Sequence, residues 1–134
     1  MSVENKKVSE VMNRTLFTVA EEATIGEIID TMLKNRISAV IVVAGNGEFL
    51  GIVSKTDIID ALKKYGAEIF NKKAEDLLCP KPYTIEGEAT IKEAAKRMLA
   101  HGVHRLLVIN PTGLGKYVPV GIITATDILK ALAF

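Results

Sequence analysis

Two short segments of the chain carry the same side-chain chemistry. Gly51-Ile52-Val53-Ser54-Lys55-Thr56-Asp57 and Gly121-Ile122-Ile123-Thr124-Ala125-Thr126-Asp127 share the pattern Gly-apolar-apolar-(Ser/Thr)-x-Thr-Asp. In each, a strand-like apolar run passes into a helical one, and a helix N-terminus offers free N–H donors and the positive end of the macrodipole. Hydroxyls and a carboxylate at such a place suit a ribose phosphate. The oxygens of Asp57 or Asp127 can accept from 2′ and 3′ hydroxyls together, and the hydroxyls of Ser54, Thr56, Thr124 and Thr126 can donate to ribose or phosphate. The same residues also spell a capping box, with Ser54 or Thr124 as N-cap and the aspartate three positions on, which needs no ligand. Both readings stand on spacing alone.

A second candidate lies where two β-branched or aliphatic runs begin, at Ile37-Ser38-Ala39 and at Val103-His104-Arg105. A guanidinium grips phosphate bidentately, and an imidazole beside it adds a donor tuned by pH. The alternative is a solvated strand edge. Only the second segment is cationic, so two phosphate sites built on these positions would be unequal. Lys34, Asn35 and Arg36 precede the first run, although the C-terminus of a helix attracts cations without any ligand.

Other chemistry is poorly supplied. Cys79 sits in Leu-Cys-Pro-Lys-Pro with no base or orienting group nearby in sequence, and is expected to be a buried or half-buried structural residue. One cysteine excludes an internal disulfide, and with His101 and His104 as the only histidines no zinc-ligand spacing can be assembled. Gly113-Leu114-Gly115 lacks the strand-before, helix-after setting of a phosphate loop. Neither an enzyme nor a metal or prosthetic group is expected.

The elements that position these residues come from a duplication. Thr18 to Val43 returns without a gap at Thr84 to Ile109, with nine of 26 pairs identical, and Gly51 to Leu62 returns at Gly121 to Leu132, with seven of 12 identical. The offset grows from 66 to 70 because the loop Asn110 to Tyr117 is longer than Gly45-Asn46-Gly47. Loops absorb such insertions cheaply. Ile25, Ile28, Ile29, Met32 and Leu33, matched by Ile91, Ala94, Ala95, Met98 and Leu99, have helical spacing, and Thr24 with Glu27 and Thr90 with Glu93 read as capping boxes. Ala39 to Val43 and Arg105 to Ile109 read as strands buried on both faces. Leu50 to Val53 and Val120 to Ile123 read as strands feeding second helices with stripes Ile58, Ile59, Leu62 and Ile128, Leu129, Leu132. Extended segments at Leu16 to Val19 and Tyr83 to Ile85 complete β-α-β-β-α in each half. The division expected is repeat 1 over 1–64, a linker over 65–73 and repeat 2 over 74–134.

Composition bounds the function. The 134 residues carry a net charge of +1, are 49% hydrophobic and only 5% aromatic, and include no tryptophan. The neutral balance gives no electrostatic footprint for a nucleic-acid duplex or an anionic membrane, and the scarcity of aromatics argues against base stacking on an aromatic platform. No apolar run approaches the ~20 residues of a membrane span, and MSVENKKVSE lacks the core of a secretory signal. A cytoplasmic protein is expected.

With its double β-α-β-β-α period, Val11-Met12 at the head of the first copy and two Gly-apolar-apolar-(Ser/Thr)-x-Thr-Asp segments, the chain resembles a tandem pair of CBS domains, or Bateman module. The resemblance covers about residues 8 to 132. It implies an α/β fold of two repeats packed by pseudo-twofold symmetry through their sheets, commonly paired with a second module as a homodimer. It also implies an adenosyl ligand, AMP, ADP or ATP and in some members S-adenosylmethionine, in clefts between the repeats. Asp57 and Asp127 would then bind ribose, Ser54, Thr56, Thr124 and Thr126 ribose or phosphate, and Ile37-Ser38-Ala39 and Val103-His104-Arg105 would line the clefts. The resemblance pairs Asp127 with the wall Ile37 to Ala39 and Asp57 with Val103 to Arg105. Where many members have proline after the central-strand start, this chain has Ile41 and Leu107. The repeats leave only Met1 to Lys7 and Ala133-Phe134, so an effector is expected to be a separate protein. The expected function is a non-catalytic sensor of adenine nucleotides. The alternatives are a structural dimerisation module with vestigial clefts, an S-adenosylmethionine binder, or a nucleic-acid-binding CBS pair, which the neutral charge disfavours.

Overall fold

The computed structural model describes residues 2–80, 82–111 and 117–133, the Tyr117 side chain excepted. The expected order of elements is present twice. In the first copy it is β1 (Thr18–Ala20), α2 (Ile25–Asn35), β2 (Ala39–Val43), β3 (Phe49–Ser54) and α3 (Lys55–Tyr65); in the second, β4 (Thr84–Glu86), α5 (Ile91–His101), β5 (Arg105–Pro111), β6 (Tyr117–Thr124) and α6 (Ala125–Ala133). Two short helices were not legible in the sequence, α1 (Val8–Val11) and α4 (Ala74–Leu77), and the segment after α3 is a 3-10 helix over Gly66–Asn71. Each copy forms a three-stranded sheet, β1-β2-β3 or β4-β5-β6, in which the first pair is parallel and the second antiparallel. Residues 112–116, most of the longer loop, lie outside the described residues.

Local chemistry sets the helix ends. Thr24 and Glu27 close a full capping box, whereas at Thr90 only half of the expected one forms: its hydroxyl accepts from the Glu93 N–H. α2 stops at Arg36 and α5 at Gly102, both left-handed. For arginine that conformation costs about 1 kcal/mol or more, for glycine little.

The chain divides into two compact units, and these do not follow the repeat boundaries: one is residues 17–82, the other residues 1–16 with 83–134. The segment leading each copy therefore packs on the sheet of the other. Asn13 exchanges backbone hydrogen bonds with Ile122 at 2.9 and 3.0 Å, and Cys79, its counterpart 66 positions on, does so with Ile52 at 2.8 and 3.2 Å. Each leading helix also fills the core it visits. Ala74 of α4 is buried with Ile25, Ile28, Val40 and Val53, and Val8 of α1 with Ile85, Ile91, Leu106 and Ile123. Full burial of a valine contributes roughly 1.5–3 kcal/mol. Cys79, expected to be at least half-buried, is exposed, because its backbone rather than its side chain makes the attachment.

The second-helix stripes are a further correction. Ile58 and Ile128 pack on the cores, but Ile59, Leu62, Leu129 and Leu132 are exposed, as are Leu33 and Leu99. The apolar periodicity is real, and the isolated chain covers only part of it.

One ion pair joins α1's approach to the loop before α5. Lys7 Nζ lies 2.7 Å from Glu88 Oε2, and the hydrogen bond and charge of Glu88 raise the lysine above its ordinary 10.5. A raised lysine contributes stability below that value, and the contribution disappears as pH climbs through the raised one. Both side chains are exposed, so the effect is small. The stability difference between wild type and Lys7→Ala in urea titrations is expected to close above the lysine range; a difference that persisted there would have another origin.

Candidate functional site

Each unit brings its candidate residues together at one end of its sheet. In the unit of residues 17–82, Ala39, the first residue of β2, is paired with Ser54, the last of β3. The carbonyl of Ser38 accepts from the first helical N–H, that of Lys55, at 3.0 Å. In the other unit Arg105 is paired with Thr124, and the His104 carbonyl accepts from Ala125 N–H at 2.9 Å. The strand start and the strand-to-helix turn, separate candidates in sequence, are thus one place in the fold, repeated twice.

The capping boxes are both formed. Ser54 Oγ accepts from Asp57 N–H at 3.2 Å, and Asp57 Oδ2 accepts from Ser54 N–H at 2.7 Å and from the Ser54 hydroxyl at 2.9 Å. Thr124 Oγ1 accepts from Asp127 N–H at 3.1 Å, and Asp127 Oδ2 from Thr124 N–H at 2.9 Å. This is the reciprocal capping box that the spacing implies, with both carboxylates and both N-cap hydroxyls engaged. In both cases the bonds fall on Oδ2. A carboxylate offers about four acceptor positions over two oxygens, so Oδ1 of each aspartate keeps capacity while the cap fixes its direction.

The remaining candidates differ in access. Thr56 and Thr126 are exposed in the first helical turn, and no hydrogen bond among the described residues engages their hydroxyls. The Ser54 hydroxyl proton is directed to Asp57, so as a donor it is committed within the cap. Ile37 and Val103 pack against the cores, and Ala39 is buried, leaving backbone rather than side chain there. His104 is exposed, while Ser38 and Arg105 are half-buried and each has a polar partner. Sequence reasoning missed the service of Ser38 and His104 as backbone acceptors. No residue-type signal marks it, because any residue has a carbonyl.

Among the described residues, no group of three His, Cys, Asp or Glu is placed to hold a metal, and no helix is long and apolar enough to cross a membrane.

Known proteins share this architecture. A family model described as CBS domain matches residues 8–64 and 74–134, each match starting in a segment that packs on the other copy's sheet. Uncharacterized protein MJ1225 of Methanocaldococcus jannaschii is 29% identical over 96% of this chain and 43% of its own length. The chain spans only 23% to 61% of the first curated relatives it matches. Among solved structures, the CBS domain pair of protein MJ0100, in complex with 5′-methylthioadenosine and S-adenosyl-L-methionine, superposes with a TM-score of 0.81 at 20% identity over 96% of each chain. CBSX2 in complex with AMP superposes with a TM-score of 0.74 at 22% identity, covering 95% of this chain and 96% of that one.

Proposed function

The chain belongs to the CBS-domain family, and from that membership we propose that it is a non-catalytic regulatory module that binds an adenosyl ligand at its two strand-to-helix turns. AMP, ADP or ATP is the ligand favoured, with S-adenosylmethionine the alternative. The observation that carries this reading is the repeated junction in which a capped aspartate, an exposed threonine and a central-strand start meet. The adenosyl ligands bound in two solved structures with this fold support the class.

In this reading Oδ1 of Asp57 and of Asp127 takes the ribose hydroxyls, and Thr56 and Thr126 donate to ribose or phosphate. Ser54 and Thr124 hold the aspartates in place, and Ile37 to Ala39 and Val103 to Arg105 line the sites. His104 and Arg105, which have no cationic counterpart at Ser38 and Ala39, make the two sites unequal for a phosphate-bearing ligand. Binding regulates only if a partner prefers one ligation state, so the readout is assigned to a separate effector protein in the cytoplasm. The module is further assigned to a homodimer.

Thermal unfolding with AMP, ADP, ATP and S-adenosylmethionine tests the class. A ligand at 100 times its dissociation constant stabilises by about 2.7 kcal/mol, roughly 10 °C for a chain of this size. At least one of the four is expected to produce such a shift. No shift with any of them would leave the structural dimerisation module with vestigial clefts, a reading favoured by how completely the caps account for Ser54 and Asp57.

A further inference from the structure

Positive charge collects where the first copy ends. Residues 63–73 hold Lys63, Lys64, Lys72 and Lys73 against one glutamate, Glu68, a charge of +3, so the remainder of a chain whose total is +1 is left at −2. Among the described residues none of these four lysines forms an ion pair, and the Glu68 carboxylate accepts from the side-chain amide of Asn71 at 2.8 Å. The feature is not repeated. The position matching Phe70 is Glu4, the one matching Lys63 is Ala133, and Lys7, which matches Lys73, is paired with Glu88.

The fold holds this charge in place. Lys64 Nζ and Lys72 Nζ lie 5.1 and 4.4 Å from the centre of the Tyr65 ring, which itself packs on the core of the unit. An aromatic face attracts ammonium groups, so one ring keeps two like charges side by side without a counter-ion. Between them α3 ends at Gly66, with φ 57° and ψ −135°, a backbone conformation that suits glycine. Ile69 and Ala74 are buried in the same core and pin the 3-10 helix, leaving Phe70 between them 66% exposed.

Uncompensated cations beside an exposed aromatic ring are complementary to carboxylates that flank an apolar side chain. Single-stranded nucleic acid fits less well. The Tyr65 ring is already engaged by ammonium groups, Phe70 alone remains for stacking, and a long polyanion would run onto a remainder of net charge −2.

We propose that Lys64, Lys72 and Phe70 form the docking surface for the effector, through an acidic segment of that protein in which carboxylates flank a bulky apolar residue. The proposal rests on the assignment of the readout to a separate effector, and not on which adenosyl ligand binds.

Fluorescence anisotropy of the full chain, at low salt and without nucleotide, with a dye-labelled peptide of repeated Glu-Glu-Leu tests it. Saturable binding is expected, and Lys64→Glu and Lys72→Glu are each expected to weaken it about tenfold, since each turns an attraction into a repulsion. Phe70→Ala is expected to weaken it as well, and Lys96→Glu, an exposed lysine on α5, to leave it unchanged. Melting of each variant separates lost docking from lost fold, and Lys64→Glu, at an exposed position, carries the test if Lys72→Glu melts early. No binding of the peptide, or binding that ignores the reversals, overturns the docking surface and leaves the adenosyl reading standing, because melting with nucleotide and no peptide tests that reading. An oligothymidine that displaces the peptide at a lower concentration than unlabelled peptide does would give the surface to nucleic acid and overturn the proposal likewise.

Discussion

Replacing Gly51 with alanine is expected to cost the fold about 2–3 kcal/mol and to lower the melting temperature by roughly 10 °C. Gly51 is buried in β3 beside the backbone of residues 78–79, which leads the second copy and is bonded to Ile52. A Cβ at position 51 would run into the carbonyl oxygen of Cys79 and lie 2.8 Å from Leu78 Cδ1. That carbonyl accepts from Ile52 N–H, so relief means moving backbone and stretching the two hydrogen bonds of the attachment. At Gly121 a Cβ meets Met12 Sδ at 2.6 Å and the Asn13 carbonyl at 2.8 Å, and the flexible thioether can yield, so Gly121→Ala is expected to cost less. Gly45 has no atom near its would-be Cβ and serves as the control, with an effect within about 0.5 kcal/mol. Thermal melts of the three variants rank them; equal melting of Gly51→Ala and Gly45→Ala would refute the crossing as the reason for the glycine.

The second large effect is on binding. Asp57→Asn and Asp127→Asn are each expected to weaken one adenosyl site by roughly 10- to 100-fold while leaving the melting temperature nearly unchanged. A hydrogen bond to a charged group contributes about 1.5–3 kcal/mol, and the amide loses the charge that would face the ribose. The amide oxygen can still accept the cap N–H that Oδ2 accepts at Ser54 and Thr124, so the helix start survives. Ser54→Ala makes the opposite trade: it removes the hydroxyl that Asp57 N–H uses, at about 1 kcal/mol of stability, and reaches the ligand only through a less restrained aspartate. Calorimetric titration should show the stoichiometry fall by one site in each asparagine variant. Retention of both sites in both variants would end the ribose assignment.

Most of the fold was legible because its signals are local. The 66- and 70-residue offsets, the helical spacing from Ile25 to Leu33 and the Thr24–Glu27 box depend on residues a few positions apart, and each appears in the structure. The motif aspartates and hydroxyls were legible for the same reason. What sequence could not supply was long-range: Gly51 and Gly121 lie against a bridging segment that leads the other copy, and a Cβ at either would strike it. Nor could periodicity say that Ile59 and Leu129 go uncovered, since an apolar face reads alike whether its cover is in the chain or outside it. Cys79 was misjudged because its tie to Ile52 is made by main-chain atoms.

The exchange of leading segments has a consequence for the order of events during synthesis. The unit of residues 17–82 is continuous, so all of it is available once its last residues have left the ribosome. The other unit is split. Val8 must wait for Ala89 and Asn13 for Ile122, a partner 109 positions later, and at about 5–20 residues per second that is a delay of several seconds or more. Through that interval Val8 and Met12 have no core to enter, and closing so long a loop is slow as well as late. The part of this chain made first is among the last to fold, which makes residues 1–16 the natural place for a chaperone to hold or a protease to cut.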